Sequence, residues 1–123
     1  MINDMKIVYD STYNYSHNDN EIEKFILNIF SKEEIKGKKI LDIACRNGDY
    51  SSIFIKLGAK EVHCWDINKK CIDSAKKRFS NHSNIKFTVD DMRNISKINE
   101  ESYDIIFCKG SIIYLDKKVP ISS

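Results

Sequence analysis

The chain has 123 residues, enough for one domain of ordinary size and too few for two. It is 41% hydrophobic and 31% charged, with a formal net charge of +2, so we expect a soluble fold without a nucleic-acid partner. No apolar run approaches the ~20 residues that span a bilayer, and the N-terminus lacks the layout of a signal peptide. The four cysteines form no CxxC pair, which predicts reduced thiols in a cytoplasmic protein and no metal site.

Strand and helix patterns alternate along the chain after an N-terminal helical segment. Apolar spacing predicts a helix over residues 21–30 with Asn20 as its N-cap, followed by a first strand over 38–44. Next come a helix over 50–57, a second strand over 62–67, a helix over 68–79, a third strand over 85–89 and a fourth over 103–108. This order predicts a single α/β domain over 1–123, a three-layer αβα Rossmann-like fold with a parallel sheet. We expect residues 1–36 to form a helical cap and residues 37–123 to form the core.

Polar residues follow each predicted strand, and ligands bind parallel sheets at that edge. A tight turn at 44–48 follows the first strand, and Asp66 follows the second, where an acid can accept from both ribose hydroxyls of a nucleoside. Asp91 and Met92 follow the third strand, where they can contact an adenine amino group and ring. Lys109 follows the fourth strand, where a second substrate would approach. A single acid at a strand end is a solvated loop residue about as often as it is a ligand-binding residue. The prediction therefore rests on the occurrence of such residues after several strands in order.

These segments resemble the class I S-adenosylmethionine (SAM)-dependent methyltransferases. LDIACRNGDYS is similar to the family's first motif, VHCWDINKKCIDSAKKR to its second strand and helix, FTVDDMRNI to its adenine-binding segment and YDIIFCKGSIIYL to its fourth-strand motif. The resemblance runs from about residue 9 to residue 115 and covers only the first half to two-thirds of the family fold. It implies SAM as the cofactor, S-adenosylhomocysteine (SAH) as the product, and methyl transfer to an unidentified acceptor.

The resemblance also implies a set of cofactor-binding residues. These are Asp42, Ala44, Cys45, Arg46, Gly48, Asp66, Ile67, Asp91, Met92 and Lys109. By this resemblance Asp66 holds the ribose, Asp91 the adenine, and the 42–48 loop the methionine moiety. It implies no metal ligand and identifies no catalytic side chain.

Two residues depart from the family pattern, because Ala44 and Arg46 stand where the family usually has glycine. Glycine at such positions permits a positive φ or a close approach of the ligand. The change at Ala44 is mild if its φ is negative. Arg46 either fills the methionine end of the pocket or clamps the carboxylate of the ligand.

The expected sheet leaves one apolar edge to be covered. By analogy, the four predicted strands lie in the order 3-2-1-4, which puts residues 105–107 on an open edge, and such edges invite pairing. We expect this edge to be covered by the C-terminal tail, by a second copy of the chain in a homodimer, or by another polypeptide.

Two other functions remain open. The short chain and the lost glycines are also consistent with a non-catalytic domain that binds SAM, SAH or a partner polypeptide. A nicotinamide-dependent oxidoreductase would need GxGxxG after the first strand, and the sequence does not supply it.

Overall fold

The computed structural model describes residues 6–10, 17–97 and 102–109. Its strands and helices are β1 (Lys6–Asp10), α1 (Asp19–Ile29), α2 (Lys32–Ile35), β2 (Lys39–Ile43), α3 (Asp49–Lys56), β3 (Glu61–Asp66), α4 (Lys69–Arg78), β4 (Ile85–Val89) and β5 (Ile105–Lys109). A 3-10 helix (Met92–Lys97) lies between β4 and β5. Within these ranges, no helix combines the length and apolar character that a membrane span requires.

The strands form one parallel sheet in the order β1-β5-β2-β3-β4. The four predicted strands correspond to β2, β3, β4 and β5, and they are neighbours in the predicted order. The chain runs outward from β2 to β4 and then returns to place β5 on the other side of β2. This reversal makes the gap between the carboxyl ends of β2 and β5 the switch point, where parallel sheets bind ligands.

The sheet differs from the prediction in what covers β5: an N-terminal strand pairs with it, where we expected the C-terminal tail, a second copy of the chain or another polypeptide. Residues 6–10 pair in parallel with β5, with Lys6 opposite Ile105 and Asp10 opposite Lys109. The prediction that residues 1–36 form only a helical cap is therefore wrong for this segment, and β1 rather than β5 is the edge strand. The physical reason is burial: Val8 is fully buried against the sheet, and pairing with β5 satisfies backbone groups that an open edge would expose.

The core lies on both faces of the sheet. Helices α1, α3 and α4 cover one face, where the largest fully buried side chains include Ile22, Ile26, Phe54, Ile72 and Phe107. The other face carries a second buried cluster, formed by Leu41, Ile43, Trp65, Tyr103, Ile106 and Cys108. Because successive strand residues point to opposite faces, neighbouring residues of β2 and β5 belong to different clusters.

The helix termini follow local sequence signals that the periodicity alone did not locate. The N-cap of α1 is Asn18 and not Asn20, since the Asn18 side chain accepts from the backbone amide of Glu21. The four-residue helix α2 has a capping box between Ser31 and Glu34.

Candidate functional site

A cavity of about 550 Å³ lies at the carboxyl ends of the central strands. It is lined by Ala44, Arg46, Trp65, Asp66, Ile67, Asn68, Cys71, Asp90, Asp91, Met92 and Arg93. Six of the ten predicted site residues are brought together there, from three segments that are separate in the sequence. These six are Ala44, Arg46, Asp66, Ile67, Asp91 and Met92.

The loop after β2 turns back on itself through left-handed residues. Ala44 has a φ of 57°, Arg46 of 55° and Gly48 of 87°. The backbone amides of Ala44 and Cys45 both donate to the carbonyl oxygen of Trp65, at 2.7 and 3.3 Å, which ties the loop to β3. The φ of Ala44 is therefore positive. The replacement of glycine by alanine would be mild only at a negative φ, so it is not mild here. At both non-glycine positions the loop keeps a conformation that costs an L-residue about 1–2 kcal/mol.

Asp66 ends β3 with its carboxylate fixed by two backbone amides. Its Oδ2 accepts from the amide of Arg46 at 2.9 Å, and its Oδ1 accepts from the amide of Asn68 at 2.8 Å. Asn68 is also the N-cap of α4, so one short turn positions both the acid and the helix. A carboxylate offers about four acceptor sites, which leaves Asp66 able to accept further hydrogen bonds. The residue is only 8% exposed but lines the cavity, where a ligand with paired hydroxyls can reach it.

The other end of the cavity carries a second acidic group. The backbone amide of Asp90 donates to the carbonyl oxygen of Asp66 at 3.1 Å, which joins the segment after β4 to the end of β3. Asp91 is held by Arg93, whose guanidinium donates to Asp91 Oδ2 at 2.6 and 3.0 Å. These hydrogen bonds hold the pKa of Asp91 below its usual value. A ligand amino group at Asp91 must therefore share the carboxylate with Arg93.

Three of the predicted site residues belong to β2 or to the loop that follows it, but they do not line the cavity. Asp42 is 2% exposed and accepts from Ser51 Oγ in α3 at 2.5 Å. Burial raises the pKa of this carboxyl to about 7, although the Ser51 hydrogen bond opposes the shift. Cys45 is also buried, and a hydrogen bond with Cys64 together with burial raises the pKa of its thiol. The third, Gly48, is the N-cap of α3.

Lys109 lies at the end of β5, on the far side of the switch point from the cavity wall. Its side chain is 3% exposed, with Nζ 3.9 Å from Asp10 Oδ1 and 5.2 Å from the centre of the Phe25 ring. Burial lowers the pKa of Lys109, and the nearby charge of Arg46 lowers it further, while Asp10 raises it. Lys109 therefore brings a second positive charge to the region around Arg46.

Sequence reasoning did not include five of the cavity residues in the site. They are Trp65, Asn68, Cys71, Asp90 and Arg93. The N-cap preference for asparagine could have located Asn68, and helical spacing then places Cys71 one turn later on the same side of α4. Trp65 Nε1 is, among the residues described, the buried side-chain nitrogen that lacks a hydrogen-bond partner. Such a donor costs about 1–3 kcal/mol when it is left unpaired.

Comparison with known sequences identifies related proteins. The family described as "Methyltransferase domain" matches residues 40–121. A curated relative, malonyl-[acyl-carrier protein] O-methyltransferase 1 of Ilyobacter polytropus, is 27% identical over 94 residues, which are 76% of this chain and 34% of that protein. The chain thus spans about a third of the length of this relative.

Solved structures show the same architecture. A proposed RNA methyltransferase from Pyrococcus horikoshii matches with a TM-score of 0.61 and 26% identity, over 72% of this chain and 44% of that chain. Phosphoethanolamine N-methyltransferase 1 of Haemonchus contortus, solved with phosphoethanolamine and SAH, matches with a TM-score of 0.64 and 20% identity. That match covers 73% of this chain and 18% of the other, and at this identity it establishes the fold alone.

Proposed function

Because this chain belongs to the class I SAM-dependent methyltransferases, we propose that its cavity binds SAM and that the protein transfers the SAM methyl group to an acceptor. One observation carries the proposal: Asp66, nearly buried at the end of β3, is held by two backbone amides while it lines the cavity. An acid in this position suits the paired hydroxyls of a ribose.

The remaining cavity residues fit the other parts of an adenosine ligand. Ile67 is 67% exposed beside Asp66, which is unusual for a large apolar side chain and favours contact with a flat apolar ring. Met92 packs against the second core cluster at the opposite wall and can contact the same ring. Asp91 then accepts from the adenine amino group, in competition with Arg93. The amino-acid part of the ligand extends toward the 42–48 loop.

SAM, when bound, supplies a methyl group that is already activated for transfer to a nucleophile. The chain contributes binding, orientation and exclusion of water, which can supply much of the rate acceleration when two reactants are held in line. We assign no side chain as a catalytic base, and the nucleophile belongs to the acceptor. The named relatives act on different acceptors, so none of those acceptors is transferred to this chain.

The first experiment is calorimetric titration of the 123-residue chain with SAM and with SAH. Micromolar binding of either ligand to the folded chain supports the cofactor proposal. A chain that is folded by circular dichroism but binds neither ligand contradicts it. Transfer is then tested with SAM labelled in the methyl group, incubated with candidate carboxylate, amine and RNA acceptors.

The alternative function is a domain that binds SAM or SAH without transferring the methyl group. Arg46 supports this alternative, because it places a large charged side chain in the cavity wall at a glycine-like position. Tight binding with no labelled product from any acceptor would favour it.

In either case we propose that the protein works in the cytoplasm, where its four unpaired cysteines would stay reduced.

A further inference from the structure

We propose that strand β1 is the interface of a symmetric homodimer, in which two copies of the chain pair edge to edge and join their sheets. Among the described residues β1 ends the sheet, with β5 on one side and no strand on the other. An edge strand offers its outer backbone groups to another chain. The sequence predicts a second copy as one of three covers for β5, whereas the second copy proposed here pairs with β1. The inference does not depend on the proposed function.

The backbone of β1 presents two residues to that outer side. The amide of Lys6 donates to the carbonyl oxygen of Asp104 at 2.8 Å, so the backbone groups of Lys6 face β5. Because these groups alternate in direction along a strand, those of Ile7 and Tyr9 point away from β5. In an antiparallel pairing, two such outward-facing residues lie directly opposite and exchange both hydrogen bonds. A two-fold axis at Val8 places Ile7 of each copy opposite Tyr9 of the other, which pairs all four outward groups of each strand.

The same register brings opposite charges together at both ends of the strand. With the axis at Val8, Lys6 of each copy lies opposite Asp10 of the other. Side chains directly opposite across two strands have Cβ atoms about 4.5–5.5 Å apart, and opposite charges there are stabilising. The Lys6 side chain is 38% exposed and long enough to reach across the pair. Within its own chain Lys6 is 3.5 Å from Glu34, and Asp10 is 3.9 Å from Lys109, so the new pairs add to these contacts.

The other edge strand of the sheet, β4, lacks this match. Its five residues carry one charge, that of Lys86, and no acid. A two-fold pairing of β4 about Phe87 would put Lys86 opposite Thr88, which offers no charge. A lysine on an edge strand also discourages pairing with another chain. The two edges therefore differ, and β1 is the edge whose sequence is complementary to itself, as a two-fold interface requires.

The size of the contact indicates a weak dimer. Five residues a side is far below the roughly 20–30 of a standard interface. Both strands are already ordered within their own sheets, however, so pairing pays little of the ordering cost that weakens association. We therefore expect association that depends on concentration and is visible above the micromolar range.

The test is sedimentation velocity of the full chain and three variants, from micromolar to millimolar concentration. Ile7→Pro removes an outward amide on which the pairing depends, and proline is tolerated on an edge strand where its nitrogen faces away from the sheet. Lys6→Glu puts an acid opposite Asp10 of the second copy.

The matched control is Val89→Pro, in the other edge strand. The amide of Asp90 donates to the carbonyl oxygen of Asp66 in β3, so the preceding amide of Val89 points away from the sheet. This variant therefore removes an outward amide from β4, as Ile7→Pro does from β1. Circular dichroism checks that each variant is folded.

For the unmodified chain we expect a monomer–dimer equilibrium. Ile7→Pro should weaken the dimer at least tenfold, and Lys6→Glu should weaken it roughly tenfold at low ionic strength and less at high. Val89→Pro should leave it unchanged. A chain that stays monomeric at millimolar concentration would overturn the inference, and so would a dimer that both β1 variants leave unchanged. If Ile7→Pro does not fold, Lys6→Glu decides the question alone.

Discussion

Asp42 and Asp66 both belong to central strands, and the sequence assigns both to one ligand site, yet their surroundings differ. Asp66 is held by backbone amides at the cavity, whereas Asp42 lies under α3 with Ser51 as its partner. Position along the strand explains the difference, because Asp42 lies inside β2 opposite Cys64, whereas Asp66 is the last residue of β3 and lies one position beyond the residue paired with the end of β2. Asp66 is therefore a ligand-binding candidate, and Asp42 is a structural group whose ionisation affects stability.

Replacement of Asp66 by alanine should weaken SAM or SAH binding by roughly 1–3 kcal/mol, the usual cost of losing a partner in charged hydrogen bonds. Because Trp65 is the only tryptophan and lines the cavity, its fluorescence offers a direct titration signal. The matched control is Asp73→Ala, which removes an exposed acid from α4 that pairs with Lys69. Unchanged affinity in a folded Asp66→Ala variant would remove Asp66 from the site.

Replacement of Asp42 by asparagine should change how stability depends on pH. The folded-state pKa of about 7 lies above the ordinary value of 3.8, so between these two pH values the folded chain holds a proton that the unfolded chain releases. The contribution of Asp42 to stability is therefore greatest below about pH 4, and it is lost as the pH rises from there through 7. Between pH 5 and pH 8 the free energy of unfolding should fall by roughly 2–3 kcal/mol in the unmodified chain relative to Asp42→Asn.

Urea unfolding at both pH values measures this difference. Parallel pH profiles for the two chains would show that Asp42 ionises at its ordinary pKa in the fold. Asparagine keeps the shape and can accept from Ser51, so the comparison isolates the charge.

The sequence predicted the site in outline, because polar residues after parallel strands must meet at one edge of the sheet. It placed Ala44, Arg46, Asp66 and Asp91 at the cavity, where the structure has them. It could not show that Asp42 would be enclosed in the core with Ser51 of α3 as its partner. Nor could it show that Ala44 would keep a positive φ, because the hydrogen bonds that hold the loop come from β3.

At the scale of the elements, the N-terminus of α3 depends on close packing against α4. Gly48 has a φ of 87°, and a Cβ at this position would lie 2.6 Å from Cε2 of Phe79. Phe79 is itself only 4% exposed and cannot move away freely. The glycine in the first motif is therefore required by packing within the protein as well as by the backbone conformation.

Replacement of Gly48 by alanine should lower the free energy of unfolding by about 2–4 kcal/mol, from the positive φ and from overpacking against Phe79. Gly37→Ala is the matched control: its φ is 73°, but a Cβ there meets nothing within 4 Å. We expect the control to cost only about 1 kcal/mol. Equal costs in chemical denaturation would show that Phe79 yields without penalty.

Periodicity identified the longer elements and missed the short ones. Helices α1, α3 and α4 and strands β2 to β5 lie within one or two residues of their predicted bounds. Helix α2 has four residues, too few for an apolar repeat to be visible. The five residues of β1 have mixed polarity, and what makes them a strand is a partner almost a hundred positions away, which local sequence cannot reveal.

At the scale of the whole molecule, β1 joins the two ends of the described chain in one sheet. It pairs with β5 along all five of its residues, and β5 also pairs with β2, so β5 has a hydrogen-bonded neighbour on each side. The stability of the domain should therefore depend on residues that lie far from the cavity.

Replacement of Val8 by alanine tests this dependence. Val8 is fully buried in edge strand β1, and removal of its two methyl groups should lower the free energy of unfolding by about 1–3 kcal/mol. Val89→Ala makes the same chemical change in the opposite edge strand, where Val89 is 45% exposed, and should change stability by less than about 0.5 kcal/mol. Equal small effects in thermal and urea unfolding would show that β1 contributes little to the fold.

The pairing of β1 with β5 also sets an order of events during translation. Lys6 leaves the ribosome before its partner Ile105, which is made 99 residues later. At about 5–20 residues per second, the first strand waits roughly 5–20 s for the last. During that interval Val8 has no partner strand, and the nascent chain must keep this segment from pairing with another polypeptide.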